Sequence, residues 1–72
     1  MTKTLYSDDQ KKVVFKLIQA RKDAELSQVE VAALLDKSQS YISKVESGQR
    51  LIDIVELKQF ARIYKKEINY FI

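Results

Sequence analysis

The chain has a single glycine, Gly48, and no proline in 72 residues. Chain reversals must therefore be made by ordinary residues. That disfavours folds built on many tight turns: strand-rich sandwiches, glycine-rich phosphate loops, collagen-like repeats and rigid proline linkers. Helices joined by short connections remain. Histidine and cysteine are also absent, which removes the commonest metal ligand, the commonest general base near neutral pH, and any thiolate site or disulfide framework. Carboxylates, lysine, serine and tyrosine are all that is left for chemistry. An enzyme is the weakest expectation, and no metal or cofactor is expected. Apolar residues make up 46% of the chain, enough for a modest core and too many for a disordered segment. Its longest uninterrupted apolar run is five residues, Val31-Ala32-Ala33-Leu34-Leu35, whereas a membrane span needs about 20. Met1–Tyr6 carries no hydrophobic signal region. The expectation is one cytoplasmic domain over residues 1–72.

Side-chain caps supply the punctuation that glycine and proline do not. Ser7-Asp8-Asp9-Gln10 reads as a helix start, with Ser7 as N-cap and two acids at the positive end of the helix dipole. Asp8-Asp9 is a first turn rather than a metal site, because adjacent residues on a helix do not face each other. Leu5 or Tyr6 is placed to staple onto the next turn. The helix carries Val14, Leu17, Ile18 and the stem of Arg21 at helical spacing, and should end near Ala24. Ser27-Gln28-Val29-Glu30 is a capping box that opens a second helix with Val31, Ala32 and Leu35 inward. Asp36-Lys37-Ser38 then interrupts. Asp36 tolerates a left-handed conformation better than most residues, and Ser38 caps a third helix carrying Ile42 and Val45. Gly48 ends it. Asp53-Ile54-Val55-Glu56 is an acidic capping box. The helix behind it lays Ile54, Leu57, Phe60, Ala61 and Tyr64 in one stripe and closes on Arg62, Lys65 and Lys66. Ile68–Ile72 adds a short fifth helix. The fold class is all-α.

The second and third helices, about Gln28–Leu35 and Gln39–Ser47, are too short to stand alone. Two short helices joined by three residues, with Ala32 at the crossing, form a helix-turn-helix over about residues 28–47. The second helix of such a unit can lie in a DNA major groove. The ordered set Ile18-Gln19-Ala20-Arg21, Leu26-Ser27-Gln28, Val31-Ala32, Ser38, Tyr41-Ile42-Ser43-Lys44-Val45-Glu46 and Gly48 resembles the Cro/C1 (XRE) family of phage repressors and bacterial regulators, over about residues 14–64. The resemblance implies a five-helix lambda-repressor-like fold, binding to double-stranded DNA and dimerisation on a palindromic operator. The sequence departs from the family where glycine is usual, at Glu25 and Asp36, where a small apolar residue is usual, at Lys37, and where proline often follows the loop arginine, at Leu51 and Ile52.

The same resemblance assigns roles to individual residues. Gln39 and Ser40 open the recognition helix and would face base edges. Glutamine pairs bidentately with adenine, and serine bonds to several bases. Lys44, a turn further on, would reach a guanine edge or a phosphate. Gln28 would clamp a phosphate at a helix N-terminus and brace Gln39. Ser43, Gln49 and Arg50 would meet the sugar-phosphate backbone, beside the capping residue Ser38. Lys37 would face a phosphate or solvent. Tyr41 would pack a thymine methyl or sugar, or cover the core edge. Arg21 and Glu46 would pair as a structural salt bridge, since the planar guanidinium matches a carboxylate bidentately.

The core expected from spacing is Val14, Leu17, Ile18, Leu26, Val31, Ala32, Leu35, Ile42, Val45, Leu57, Ala61 and Tyr64. Phe15, Ile63, Tyr70, Phe71 and Ile72 are left over, which suggests a homodimer contact through the C-terminal helices and tail. Net charge is +3, yet the motif and its loop balance Lys37, Lys44 and Arg50 against Glu30, Asp36 and Glu46. Net charge is thus minor support, and the case for DNA rests on where particular side chains stand. The leading expectation is a sequence-specific transcriptional repressor. The alternative is an antitoxin or protein-interaction module on the same fold, with a small protein partner.

Overall fold

The computed structural model describes residues 7–72; a staple by Leu5 or Tyr6 lies outside the described residues. Four α-helices follow one another: α1 (Asp8–Asp23), α2 (Gln28–Leu35), α3 (Gln39–Glu46) and α4 (Ile54–Tyr64). No strand occurs among the described residues. In place of a fifth α-helix there is one 3₁₀ turn, Ile68–Tyr70.

All four helix starts are the ones the caps mark. Ser7, Ser27, Ser38 and Asp53 each accept a hydrogen bond from the backbone N–H three residues on. At Ser27 and Asp53 the box is reciprocal, with Glu30 and Glu56 accepting from the cap N–H at 2.8 and 2.9 Å. These bonds satisfy donors that a helix start otherwise leaves open.

The helix ends share one device. A left-handed residue follows each helix: Glu25 (φ 59°), Asp36 (φ 57°), Gly48 (φ 81°) and Lys65 (φ 58°). In each case the next N–H turns back to a carbonyl five residues earlier: Leu26 to Arg21, Lys37 to Ala32, Gln49 to Lys44, Lys66 to Ala61. This is the Schellman closure. Only Gly48 reaches it without a Cβ penalty; for an L-residue the left-handed region costs about 1–2 kcal/mol. Lys65, expected inside the last helical turn, is instead the stop of α4. The third helix likewise ends one residue early, at Glu46 with Ser47 as cap.

The core joins Leu17 and Ala20 of α1, Val31 and Ala32 of α2, Ile42 and Val45 of α3, Leu57, Phe60, Ala61 and Tyr64 of α4, and Phe71. Most expected core positions are here; Leu26 and Leu35 pack at its edge. Val14 and Ile18 are only half-buried. They line an apolar groove of about 520 Å³ between α1, the 47–53 loop and the start of α4. Ile54, expected on the inner stripe, is 54% exposed, because the first residue of α4 precedes the turn that docks.

The tail is the main correction to the expected core. Phe71, expected as surplus, is 1% exposed, and Ile63 and Tyr70 pack against the core. The left-handed turn at Lys65 sends the chain back, so the 3₁₀ turn drops Phe71 inward, edge-on to Tyr70 at 5.0 Å. The Lys16 and Lys66 ammonium groups lie over the Tyr70 ring at 4.6 and 4.7 Å, a cation–π arrangement. Of the five leftover residues only Phe15 and Ile72 are well exposed, at 62% and 67%.

Glu25→Gly removes the Cβ penalty at the first stop, against a smaller entropic cost in the unfolded chain. It should raise stability by about 0.5–1 kcal/mol, read as an upward shift of the thermal midpoint followed by circular dichroism. A lower midpoint would show that the Glu25 side chain contributes more than its backbone costs.

Candidate nucleic-acid interface

On α3, Ile42, Val45 and Glu46 are buried, while Gln39, Ser40, Ser43 and Lys44, with the cap Ser47, are exposed. At 3.6 residues per turn the exposed five form one continuous face. It consists of one amide, three hydroxyls and one ammonium, with no carboxylate among them.

A partly buried polar chain fixes the start of this face. Arg21, in the last turn of α1, donates from Nε to Glu46 Oε2 at 2.7 Å and from Nη2 to Glu46 Oε1 at 3.0 Å. Its Nη1 donates to the Leu26 carbonyl at 3.0 Å, across the α1–α2 connection. Gln28 Nε2 donates to the same Glu46 Oε1 at 3.0 Å. In turn, Gln28 Oε1 accepts from Gln39 Nε2 at 2.8 Å. The order Arg21, Glu46, Gln28, Gln39 thus runs from α1 through the end of α3 and the start of α2 to the exposed first residue of α3. The Arg21 and Glu46 side chains are only 15% and 6% exposed. The Glu46 hydrogen bond is the chief cause that raises the Arg21 pKa above its ordinary value, against the opposing effect of burial.

A second cluster stands on the other side of α3. The Tyr41 ring stacks on Phe60 with centroids 6.3 Å apart, and its hydroxyl donates to Glu56 Oε2 at 2.9 Å. Of the two alternatives for Tyr41, this places it at the core edge. Arg50 lies over the same ring at 4.9 Å and donates from Nη2 to Glu56 Oε2 at 3.0 Å. Lys37 Nζ is 5.2 Å from the ring centre. Burial, then the Glu56 contact, raises the Tyr41 pKa. The Asp53 N–H, with Tyr41 and Arg50 adding to it, holds the Glu56 carboxyl below the usual carboxylate range. Glu56 was legible in the sequence only as a capping residue; that its second oxygen serves Tyr41 and Arg50 has no local signal, because those partners come from α3 and the loop.

The remaining candidates fall around these clusters. The Ser38 hydroxyl is engaged in the α3 cap, accepting from the Tyr41 N–H at 3.1 Å. Gln49 is exposed beyond Gly48, and the Lys44 carbonyl accepts from both the Gln49 and Arg50 N–H groups. Among the described residues no cluster of histidine, cysteine or carboxylates is arranged to hold a metal ion, and no helix is long and apolar enough to cross a membrane.

A helix-turn-helix family model of the Cro/C1 (XRE) type matches residues 17–71. The chain belongs to that family. A search of curated proteins finds no match. The family is one of DNA-binding domains rather than of catalysts, and this Cro/C1-type chain is a DNA-binding transcription regulator of the XRE kind.

In this XRE regulator the removal of one partner from the Arg21–Glu46 pair leaves an uncompensated charge in a mostly buried place. Glu46→Ala should cost about 3 kcal/mol and lower the thermal midpoint by more than about 10 °C. An unchanged melt would remove the pair from the architecture. Tyr64 offers a second check. It is 3% exposed, and its hydroxyl has no hydrogen-bond partner among the described residues. Burial, with the Glu46 charge adding, raises its pKa well above the ordinary 10.0. A raised folded-state pKa gives stability that is fully present below the unfolded value and lost as pH rises beyond it. Tyr64→Phe should therefore melt no lower at pH 7 and lose less stability above pH ~10. An equally steep alkaline loss would place the sensitive group elsewhere.

Proposed function

We propose that this regulator is a repressor that binds a palindromic operator as a homodimer, with α3 in the major groove, and acts by occupying DNA in the cytoplasm that a polymerase must reach. Gln39 and Ser40 read base edges, and Lys44 reaches a guanine edge or a phosphate. Gln28, Lys37, Ser38, Ser43, Gln49 and Arg50 meet the backbone around them, and Tyr41, at the core edge, supports Arg50 with its ring. The observation that carries this reading is the Gln28–Gln39 hydrogen bond. It holds an exposed glutamine amide at the N-terminus of α3, where a helix in the groove meets bases. Its other end is anchored on a mostly buried carboxylate. Leu51, Ile54, Val55 and Ile72 are exposed apolar residues near or on the C-terminal elements and supply material for a twofold contact. With Phe71 inside, the tail itself offers less than its sequence suggests.

The apolar groove beside α1 favours a second reading, an interaction module whose small protein partner buries it. A stoichiometric partner recovered together with no DNA affinity at low salt would favour that reading over the first.

Selection from random duplex DNA at stated salt tests the first reading. The recovered sites should contain two inverted half-sites with centres about 34 Å apart, one DNA turn. Gln39→Ala should weaken binding to the recovered site by about 10-fold or more and binding to random duplex by less than about two-fold. Equal losses on both would refute base reading by Gln39.

A further inference from the structure

We propose that Glu56 is a positioning residue for sequence discrimination: through one carboxylate oxygen it holds Tyr41 and Arg50 in a fixed relation to the reading face of α3. The inference rests on the reading that α3 meets DNA, and names a residue that neither the helix-turn-helix pattern nor the cap assigns to that task.

A capping glutamate needs only one oxygen. Glu56 Oε1 serves that purpose, accepting from the Asp53 N–H at 2.9 Å. Oε2 does something else: it accepts from the Tyr41 hydroxyl at 2.9 Å and from Arg50 Nη2 at 3.0 Å. Three segments meet on that atom: α3 through Tyr41, the loop after α3 through Arg50, and the start of α4.

The guanidinium of Arg50 is held twice, by the carboxylate and by the Tyr41 face at 4.9 Å. Its backbone N–H is tied to the Lys44 carbonyl at 3.2 Å. The Arg50 side chain is nonetheless 46% exposed. A guanidinium carries five N–H donors, so one engaged Nη2 leaves others for a phosphate in a direction already set. Lys37, on the same ring, adds a second cation.

Two opposite consequences follow from the Glu56 charge. A carboxylate beside a phosphate-binding surface repels any DNA. A fixed guanidinium favours the one register in which a phosphate meets its open edge, and phosphate contacts set register. Glu56 thus lowers affinity in general and raises discrimination between a matched site and the rest.

Glu56→Gln keeps one acceptor oxygen for the Asp53 N–H, puts an amide NH2 that can only donate where Oε2 accepted from Tyr41 and Arg50, and removes the charge. The probes are the duplex recovered by selection from random DNA and a random-sequence duplex of equal length, both followed by fluorescence anisotropy at two salt concentrations. Binding to the random duplex should tighten by about three-fold and binding to the recovered duplex should weaken by about three-fold, so their ratio falls about ten-fold. Tyr41→Phe removes only the hydroxyl bond and leaves the cap intact; it should lower the ratio in the same direction by a smaller factor, and it serves as the test where Glu56→Gln does not fold. A ratio within two-fold of the unmodified protein in the folded variant overturns the inference, even where the thermal midpoint falls, since that outcome assigns Glu56 a structural role alone. Selection that recovers no common sequence would instead sink the reading of α3, before Glu56 enters.

Discussion

The Arg21–Glu46 pair is the interaction on which the arrangement of this regulator depends. Arg21 uses every nitrogen of its guanidinium: two on Glu46 and one on the Leu26 carbonyl. It therefore fixes the end of α3 against the end of α1 and holds the turn into α2 as well. Buried pairs often add little net stability, because desolvation offsets their attraction. What this one supplies is geometry. Glu46 is the one buried charged residue among the described residues, and with both oxygens engaged it has a narrow choice of positions. An apolar pair of similar volume would fill the space without presenting an acceptor to Gln28, and the amide of Gln39 would then lose its anchor.

The helices that carry this chain of bonds are not stable by themselves. Each helix of the motif is eight residues long, below the length at which isolated helices persist. Caps at the starts and left-handed closures at the ends compensate locally, and the shared core does the rest. The single glycine is spent at Gly48, directly after α3, where the chain must turn at once to bring Arg50 back over Tyr41. At Glu25, Asp36 and Lys65 the fold accepts a Cβ in the left-handed region. Core packing and the closing hydrogen bonds outweigh that cost.

How much was legible follows from the range of each interaction. Caps act over three residues, so all four helix starts and the motif could be read from Ser7, Ser27, Ser38 and Asp53. The Gly48 stop was equally local. Left-handed stops at Glu25 and Lys65 were not, because neither residue type signals one; the departure from glycine at Glu25 was visible, and its conformational consequence was not. Phe71 looked surplus because its burial depends on a reversal at Lys65 that the cationic run Lys65-Lys66 hides. Among the site residues, a structural Arg21–Glu46 pair was suggested by resemblance rather than by spacing, since the two stand 25 residues apart. In the sequence Glu56 is a cap and nothing more, because one carboxylate oxygen satisfies the local pattern and the other answers to residues brought in by the fold.

Two polar clusters thus flank one short helix, and they differ in exposure. The relay through Glu46 and Gln28 is partly buried and ends on an exposed amide, which has both donors and an acceptor. The cluster around Glu56 is nearer the surface and ends on two cations, Arg50 and Lys37. Nearly all the charge of the buried cluster cancels within it, so the face of α3 that remains exposed bears Lys44 and no carboxylate. A motif whose sequence count of charges is neutral therefore presents an exposed α3 face that is not. The separation also lets each cluster change without the other: substitutions around Tyr41 and Arg50 act at the surface between α3 and α4, whereas those at Glu46 or Gln28 reach the position of Gln39 through their hydrogen bonds.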